Sequence, residues 1–397
     1  MKRFVIIFIT FILCLGAGSL SVFAEPGESW VDPEGNGTEE KPYASGTIGG
    51  IEWRLNTSGV LTLSGNGVMA DFAEDFAEGW HVYKEEIVAV EILDGVENLG
   101  AFSFSGLKNV SKITVPASVT DIGNGAFAGC DALAVVAVNA NNPSYSSVDG
   151  VLYNKQGDTL VCCPGGIIGN VYVIKDNVKK VGAYAFYGSG TLESVEIASG
   201  VTEVGEGAFG GCLNLRAVTV ADTVDVIGKS AFERCVFLSE LKMPSTLSTL
   251  GDKAFWGCVS LGAVDLPEGL AAIGESVFGR CDALSTVSVP DGVERIGKSA
   301  FANCKNLAEV TLPGSVDVIE YNAFMGCAAL KKVIYHGSEL GFDMIDIEAG
   351  NDPLLNAELS AGMSPLPFVV GGLFILGFAA VLLLAVKREK AGSKKKK

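Results

Sequence analysis

A phenylalanine, most often in an Ala-Phe pair, returns at a fixed interval through most of this 397-residue chain. It stands at Phe104, Phe127, Phe186, Phe209, Phe232, Phe255, Phe278, Phe301 and Phe324, and every step is 23 residues except one of 59. A fixed period in the twenties is the mark of a solenoid, in which each unit contacts only its neighbours. Each unit reads L-x-x-V-x-L-P-x-x-V-x-x-I-G-x-x-A-F-x-x-C. In the unit that starts at Leu284, Val287 and Val289 alternate as in a short strand. Pro290 ends that strand by removing a backbone donor. Val293 and Ile296 point back inward, Gly297 permits a turn, and Ala300 and Phe301 plug the coil from the far side.

One unit cannot stand alone. Each of its inward side chains contributes roughly 1.5–3 kcal/mol on burial. Ordering the backbone costs about 1–2 kcal/mol per residue. The balance turns favourable only when units stack in register, with strands about 4.8 Å apart. Strand starts fall at Ile87, Val110, Leu133, Gly169, Leu192, Leu215, Leu238, Leu261, Leu284, Leu307 and Leu330. These rungs predict a coil on the order of 50 Å long. The long step between Phe127 and Phe186 holds "YSSVDGVLYNKQGDTLVCCP", two alternating runs around Asn154 to Asp158, which predicts a protruding β-hairpin.

Cys130, Cys212, Cys235, Cys258, Cys281, Cys304 and Cys327 hold one position of the unit. In-register side chains run parallel, so their Cβ atoms lie near the strand spacing of about 4.8 Å, wider than a relaxed disulfide's roughly 3.5–4.5 Å. The expectation is a column of buried free thiols, each acting as a small hydrophobe with a weak donor. Ser189 and Leu107 fill the same slot elsewhere, which suits packing rather than obligate pairing.

The ends carry other signals. Met1-Lys2-Arg3, an apolar run to Leu20 and small residues around Ala24 predict a secretory signal peptide over 1–24. Residues 368–386 carry no charge and are followed by a basic tail at 387–397. That predicts a transmembrane helix with its tail on the cytoplasmic side. A Leu-Pro-x-Thr-Gly sorting motif is missing; Leu366-Pro367 is all that "PLPFVV" supplies. Nine of the 29 basic residues and one of the 46 acidic ones lie in these two ends, which leaves a net charge of −25 between them. A field of that sign repels nucleic acid.

The 23-residue unit of "AF-x-x-C-x-x-L" type resembles the BspA-like leucine-rich-repeat family. The likeness extends beyond the repeat. "WRLNTSGVLTLSGNGVMADF" (Trp53 to Phe72), followed by Trp80, is similar to the cap that precedes such arrays. "NPSYSSVDGVLYNKQGDTLVCCP" resembles the family's hairpin insertion, and "GSELGFDMIDIEAGNDPLLNAE" its C-terminal cap. Departures are Ser189 for cysteine, Glu320 for the glycine, and several units without the proline. The resemblance implies a leucine-rich-repeat solenoid, β-rich within the α/β horseshoe class, with about eleven parallel rungs and one hairpin insertion. The expected layout is an acidic linker over 25–46, an N-terminal β cap over 47–86 and repeats over 87–336. The insertion occupies 143–168, the C-terminal cap 337–358 and a short linker 359–367. The resemblance also implies a cell-surface molecule, and the two end segments predict a single pass with the N-terminal domain outside the cytoplasm. Some members act as adhesins for host matrix proteins, host cells or other microbes.

Catalysis finds little support in the residues. His81 and His336 lie at opposite ends of the array, and no Cys-x-x-Cys provides zinc spacing. "IGNGAF" has the outline of a phosphate loop but is one copy of the repeat. "DPEGNGTEE" loosely follows a calcium loop, yet its twelfth position is Tyr43, so the bidentate carboxylate is missing. Adjacent Cys162 and Cys163 face opposite sides of an alternating strand. No catalytic, metal or cofactor residues are therefore assigned, and the expected partner is an extracellular protein or glycan.

Three surfaces are candidates for it. The outward strand face is small and thinly polar, with Glu240, Lys242, Asp265, Thr286, Ser288, Glu309 and Thr311 its best hydrogen-bonding residues. Large residues stand beside the plug at Tyr187, Trp256 and Met325, with Tyr184 and Tyr321 one turn away. These serve either neighbour packing or a ligand. The hairpin tip, with Asn154, Lys155 and Gln156, is the third. A binding module and a ligand-free envelope spacer both remain open.

Overall fold

The computed structural model describes residues 30–31, 43–73, 78–166 and 169–362. The signal peptide, the apolar span and the basic tail read from the sequence lie outside the described residues. Among the described residues, no helix is long and apolar enough to cross a membrane.

The repeats coil into a solenoid of about eleven turns. The leading strands stack parallel with a 23-residue register: Ser194 pairs with Ala217, and Ala217 with Glu240. A second parallel ladder, absent from the expectation, runs beside the first. Its strands are two residues long, such as Lys180–Val181, Glu203–Val204 and Val226–Ile227. The V-x-x-I segment places one buried residue per strand there, too short a run for alternation to show.

The conserved-register glycines of this segment are required by closeness, not by a turn. A Cβ on Gly297 would come within 2.8 Å of Gly274 and Ile273 backbone atoms, and one on Gly205 within 2.8 Å of Val181 and Ala183. The left-handed residue lies two positions on, at Ser230, Lys253, Ser276, Ser299 and Asn322, with φ between 54° and 60°.

Inside, the phenylalanines form a column. From Phe186 to Phe324 successive ring centroids are 4.8 to 5.6 Å apart, with planes within 17° of parallel. Beside it runs the cysteine column. Each ladder thiol donates to the carbonyl of the phenylalanine one rung back, as Cys235 does to Phe209 at 3.1 Å and Cys258 to Phe232 at 3.2 Å. The thiol is a second donor to a carbonyl that already accepts from the backbone N–H three residues on, as Phe209 O does from Cys212 N–H at 3.2 Å, so the buried thiol itself finds a partner. Ser189 occupies this slot with 4% exposure, and its hydroxyl has no partner. Ser189→Cys is therefore expected to stabilise the protein by about 1 kcal/mol, read as an upward shift of the urea midpoint.

At the start, strands Ala44–Ile48, Ile51–Leu55 and Val60–Ser64 form an antiparallel meander, and the last of them pairs parallel with the first rung strand, Ala89–Ile92. Trp80 caps the aromatic column, stacked 6.3 Å from Phe104. At the far end, strand Lys332–Ser338 pairs with Glu358–Gly362. Asn351 closes the turn ridge by accepting from Phe324 N–H at 2.9 Å and donating to Glu320 O at 2.9 Å.

The insertion does not protrude as the sequence suggested. It is a three-stranded antiparallel unit, Tyr145–Val148, Val151–Asn154 and Thr159–Cys162, wedged into the wall of the coil. Val151, Leu152 and Tyr153 are all buried. Strand Thr159–Cys162 then joins the second ladder, pairing parallel with Lys180–Val181. Cys162 belongs to the core before the insertion and Cys163 to the core after it. Cys163 takes a phenylalanine's place on the ridge: its N–H donates to Ala185 O at 2.8 Å, as Phe186 N–H does to Ala208 O at 2.7 Å.

Candidate functional site

The strand face is as thin as the sequence implied. Glu240, Lys242, Asp265, Thr286 and Ser288 are exposed, while Glu309 and Thr311 are half-buried. Glu309 is held by Lys332 at 2.8 Å. Glu240 and Lys242 lie on one four-stranded sheet and Thr286, Ser288, Glu309 and Thr311 on another, which Asp265 joins through a single bridge to Ser288, so the face is not continuous.

The large residues beside the plug lie along the stack. A Cβ on Gly210 would come within 2.9 Å of the Tyr187 ring, and one on Gly279 within 2.8 Å of the Trp256 ring. Each big side chain thus covers the glycine of the next rung. This is neighbour packing, but both rings stay half-exposed. Arg280 sits over the Trp256 ring with its guanidinium 5.4 Å from the centroid. Met325 is 40% exposed.

Sequence reasoning missed a neighbouring group. Leu213, Phe237 and Val259 follow the cysteine turn on three successive rungs, and all three are exposed. Arg216 lies over the Phe237 ring at 5.0 Å. The repeat offered only a partial signal: the position directly after the cysteine is Asp131, Asp282 and Lys305 on other rungs but Leu213 and Val259 here, and Phe237 lies one residue further along.

The expected hairpin tip is a braced turn. The Asn154 side-chain oxygen accepts from Asp158 N–H and Thr159 N–H, both at 3.0 Å. Its amide donates to Asp158 Oδ1 at 2.6 Å. Lys155 Nζ donates to Asn142 O at 2.6 Å, so Gln156 is the tip's unspent polar group among the three named. Asn154 serves the turn.

The two histidines remain apart. His81 is buried between Phe72 and Trp80, with Nε2 donating to Ser103 O at 2.9 Å. Burial pushes its pKa down, against the pull of that carbonyl. It is a cap residue held neutral, and His336 is exposed at the other end.

A family model described as a BspA type leucine rich repeat region matches in six copies, over residues 81–148, 170–285 and 226–341, more than half of the chain. The chain belongs to the BspA-type leucine-rich repeat family. Repeats of this family are typically non-catalytic binding scaffolds. Three solved structures are similar to this BspA-type chain. One is a leucine-rich repeat protein from Eubacterium ventriosum, 25% identical, covering 69% of this chain and 95% of that one, TM-score 0.37. Another is a leucine rich cell surface protein from Faecalibacterium prausnitzii, 20% identical, covering 77% and 98%, TM-score 0.38. The third is a leucine-rich repeat protein from T. pallidum, 25% identical, covering 57% and 98%, TM-score 0.37. Among curated proteins none matches. The assignment rests on the repeat match.

Proposed function

We propose that this chain is a non-catalytic recognition scaffold of the cell surface, anchored in the membrane through residues 368–386 and binding an extracellular protein or glycan in adhesion to host or microbial cells. The observation that carries the reading is the pair of arginine–aromatic contacts on adjacent rungs, Arg216 with Phe237 and Arg280 with Trp256. Arginine and large aromatics anchor tight interfaces. Here they stand exposed or half-exposed on a rigid ladder, beside Leu213 and Val259. The strand face, by contrast, supplies only weak contacts that many copies on one cell would have to multiply.

The test is saturable binding of the full chain to immobilised matrix proteins, mucin, cell-wall glycan and whole microbial cells. Trp256→Ala and Phe237→Ala are each expected to weaken binding about tenfold, the effect of an anchor residue worth more than 1 kcal/mol. Thr286→Ala on the strand face is expected to change it little. A folded protein that binds nothing on this panel, even clustered on beads, would point instead to an envelope spacer.

A further inference from the structure

The wedge leaves an opening in the wall. On the turn ridge the rungs on either side of the insertion touch directly: Gly129 N–H donates to Tyr187 O at 3.2 Å, as Gly106 N–H does to Ala128 O at 2.8 Å. In the second ladder an extra strand, Thr159–Cys162, stands between them, bonded to the later rung through Gly182 N–H to Leu160 O at 2.8 Å. Rungs that meet at the ridge must therefore part at the ladder. Strand Asp121–Ile122 pairs only with Asn98–Leu99, and its outward N–H, that of Ile122, is met by the Tyr145 hydroxyl at 2.8 Å. A cleft of about 310 Å³ results, lined among others by Asn124, Tyr145, Thr159, Lys180, Tyr184 and Glu203.

The chemistry of the walls selects a ligand class. The charges at the cleft are already paired across rungs, Lys180 with Glu203 at 2.7 Å and Glu206 with Lys229 at 3.6 Å. An ion would have to break such a pair. Two neutral polar groups are offered: the Asn124 amide and the Tyr145 hydroxyl, which accepts from Ile122 and keeps its proton to donate, whereas the Thr159 hydroxyl is already turned to Asp158 at 3.3 Å. The Tyr184 ring is held edge-on by Phe102 at 4.9 Å and by Tyr187 at 5.5 Å, so an aromatic wall is fixed beside these groups. A wall of this kind suits a molecule with an apolar C–H face and hydroxyl edges. A peptide strand fits less well. The open strand is two residues long, and its outward donor is already used.

We propose that this cleft binds one neutral sugar residue of a glycan. The proposal rests on the recognition reading in taking a glycan as ligand, but it places a site apart from the Trp256 ridge. The probes are free N-acetylglucosamine, N-acetylgalactosamine, galactose, mannose and fucose, titrated onto the purified full chain and read by saturation-transfer NMR. Tyr184 has φ +58°, which asparagine tolerates, so Tyr184→Asn removes the ring without straining the turn. At least one sugar is expected to saturate at millimolar concentration, with about tenfold weaker binding in Tyr184→Asn. Circular dichroism checks that the variant keeps its fold. Tyr145→Phe, which keeps its ring and loses the hydroxyl, is expected to weaken the same sugar.

No saturation by any of the five, or equal binding by a folded Tyr184→Asn, overturns the proposal. So does binding of acetyl-Val-Thr-Val-Thr-Val-amide with none of the sugars, which would assign the opening to an added strand. The assay needs no cell or matrix. Its failure leaves recognition by the Trp256 ridge standing, and failure of that recognition leaves this result intact.

Discussion

Phe255→Ala is expected to cost about 3–5 kcal/mol, the range for truncating a fully buried phenylalanine. The ring is 0% exposed and lies between Phe232 at 5.3 Å and Phe278 at 5.6 Å, parallel to both within 2°. The site cannot collapse to refill the space. Backbone bonds fix the rung spacing on either side, from Phe232 N–H to Ala254 O at 2.8 Å and from Phe255 N–H to Val277 O at 2.9 Å. A solenoid adds a second consequence. Each unit is stabilised by its two neighbours, so a break in the middle uncouples the array into two blocks. Urea unfolding followed by circular dichroism should therefore show a lower midpoint and a broader or two-step transition. Phe237→Ala, on an exposed ring of the same type, is expected to stay within ~0.5 kcal/mol of wild type. A loss below about 1 kcal/mol in Phe255→Ala would mean that the column is not the element coupling the rungs.

The columns of phenylalanine and cysteine were legible because each repeats at one exact register, and a fixed period maps directly onto stacked neighbours. The covering role of Tyr187 and Trp256 could also have been read, since each is followed 23 residues later by a glycine, Gly210 and Gly279. The second ladder was not, because its two-residue strands give no alternation. Within the insertion the Asp149-Gly150 pair was the missed signal. Both residues have positive φ, 54° and 83°, the two-residue turn that joins strands Tyr145–Val148 and Val151–Asn154. Taking Asn154 to Asp158 as the hairpin tip instead made the segment protrude. The cleft was out of reach for a different reason. Tyr145 lies outside the repeat register, and it meets Ile122 and lines one cleft with Tyr184 only because an extra strand parts two rungs.

Alkaline pH is expected to unfold this protein near pH 10, through the thiols. Burial pushes Cys130, Cys212 and Cys327 up from 9.0 to about 12, and Cys235, Cys258, Cys281 and Cys304 also rise for the same reason. Between those values the unfolded chain releases its thiol protons while the folded chain keeps them. The folded state then binds more protons than the unfolded one, so stability falls as pH rises. It is fully present below pH 9 and declines by about 1.4 kcal/mol per thiol for each unit above it. Seven ladder thiols together remove on the order of 10 kcal/mol by pH 10. That matches the whole stability of an ordinary domain, roughly 5–15 kcal/mol. The measurement is the urea midpoint from pH 7 to 10.5. Because lysines and tyrosines titrate nearby, the decisive comparison is the slope. A Cys235→Ala/Cys281→Ala variant is less stable at pH 7, but above pH 9 its stability should fall about 2.7 kcal/mol per unit less steeply than wild type, two thiols' share. Equal slopes would show that the thiols titrate alike in the folded and unfolded chains. The column would then be wetter than its packing and its bonds to the phenylalanine carbonyls require.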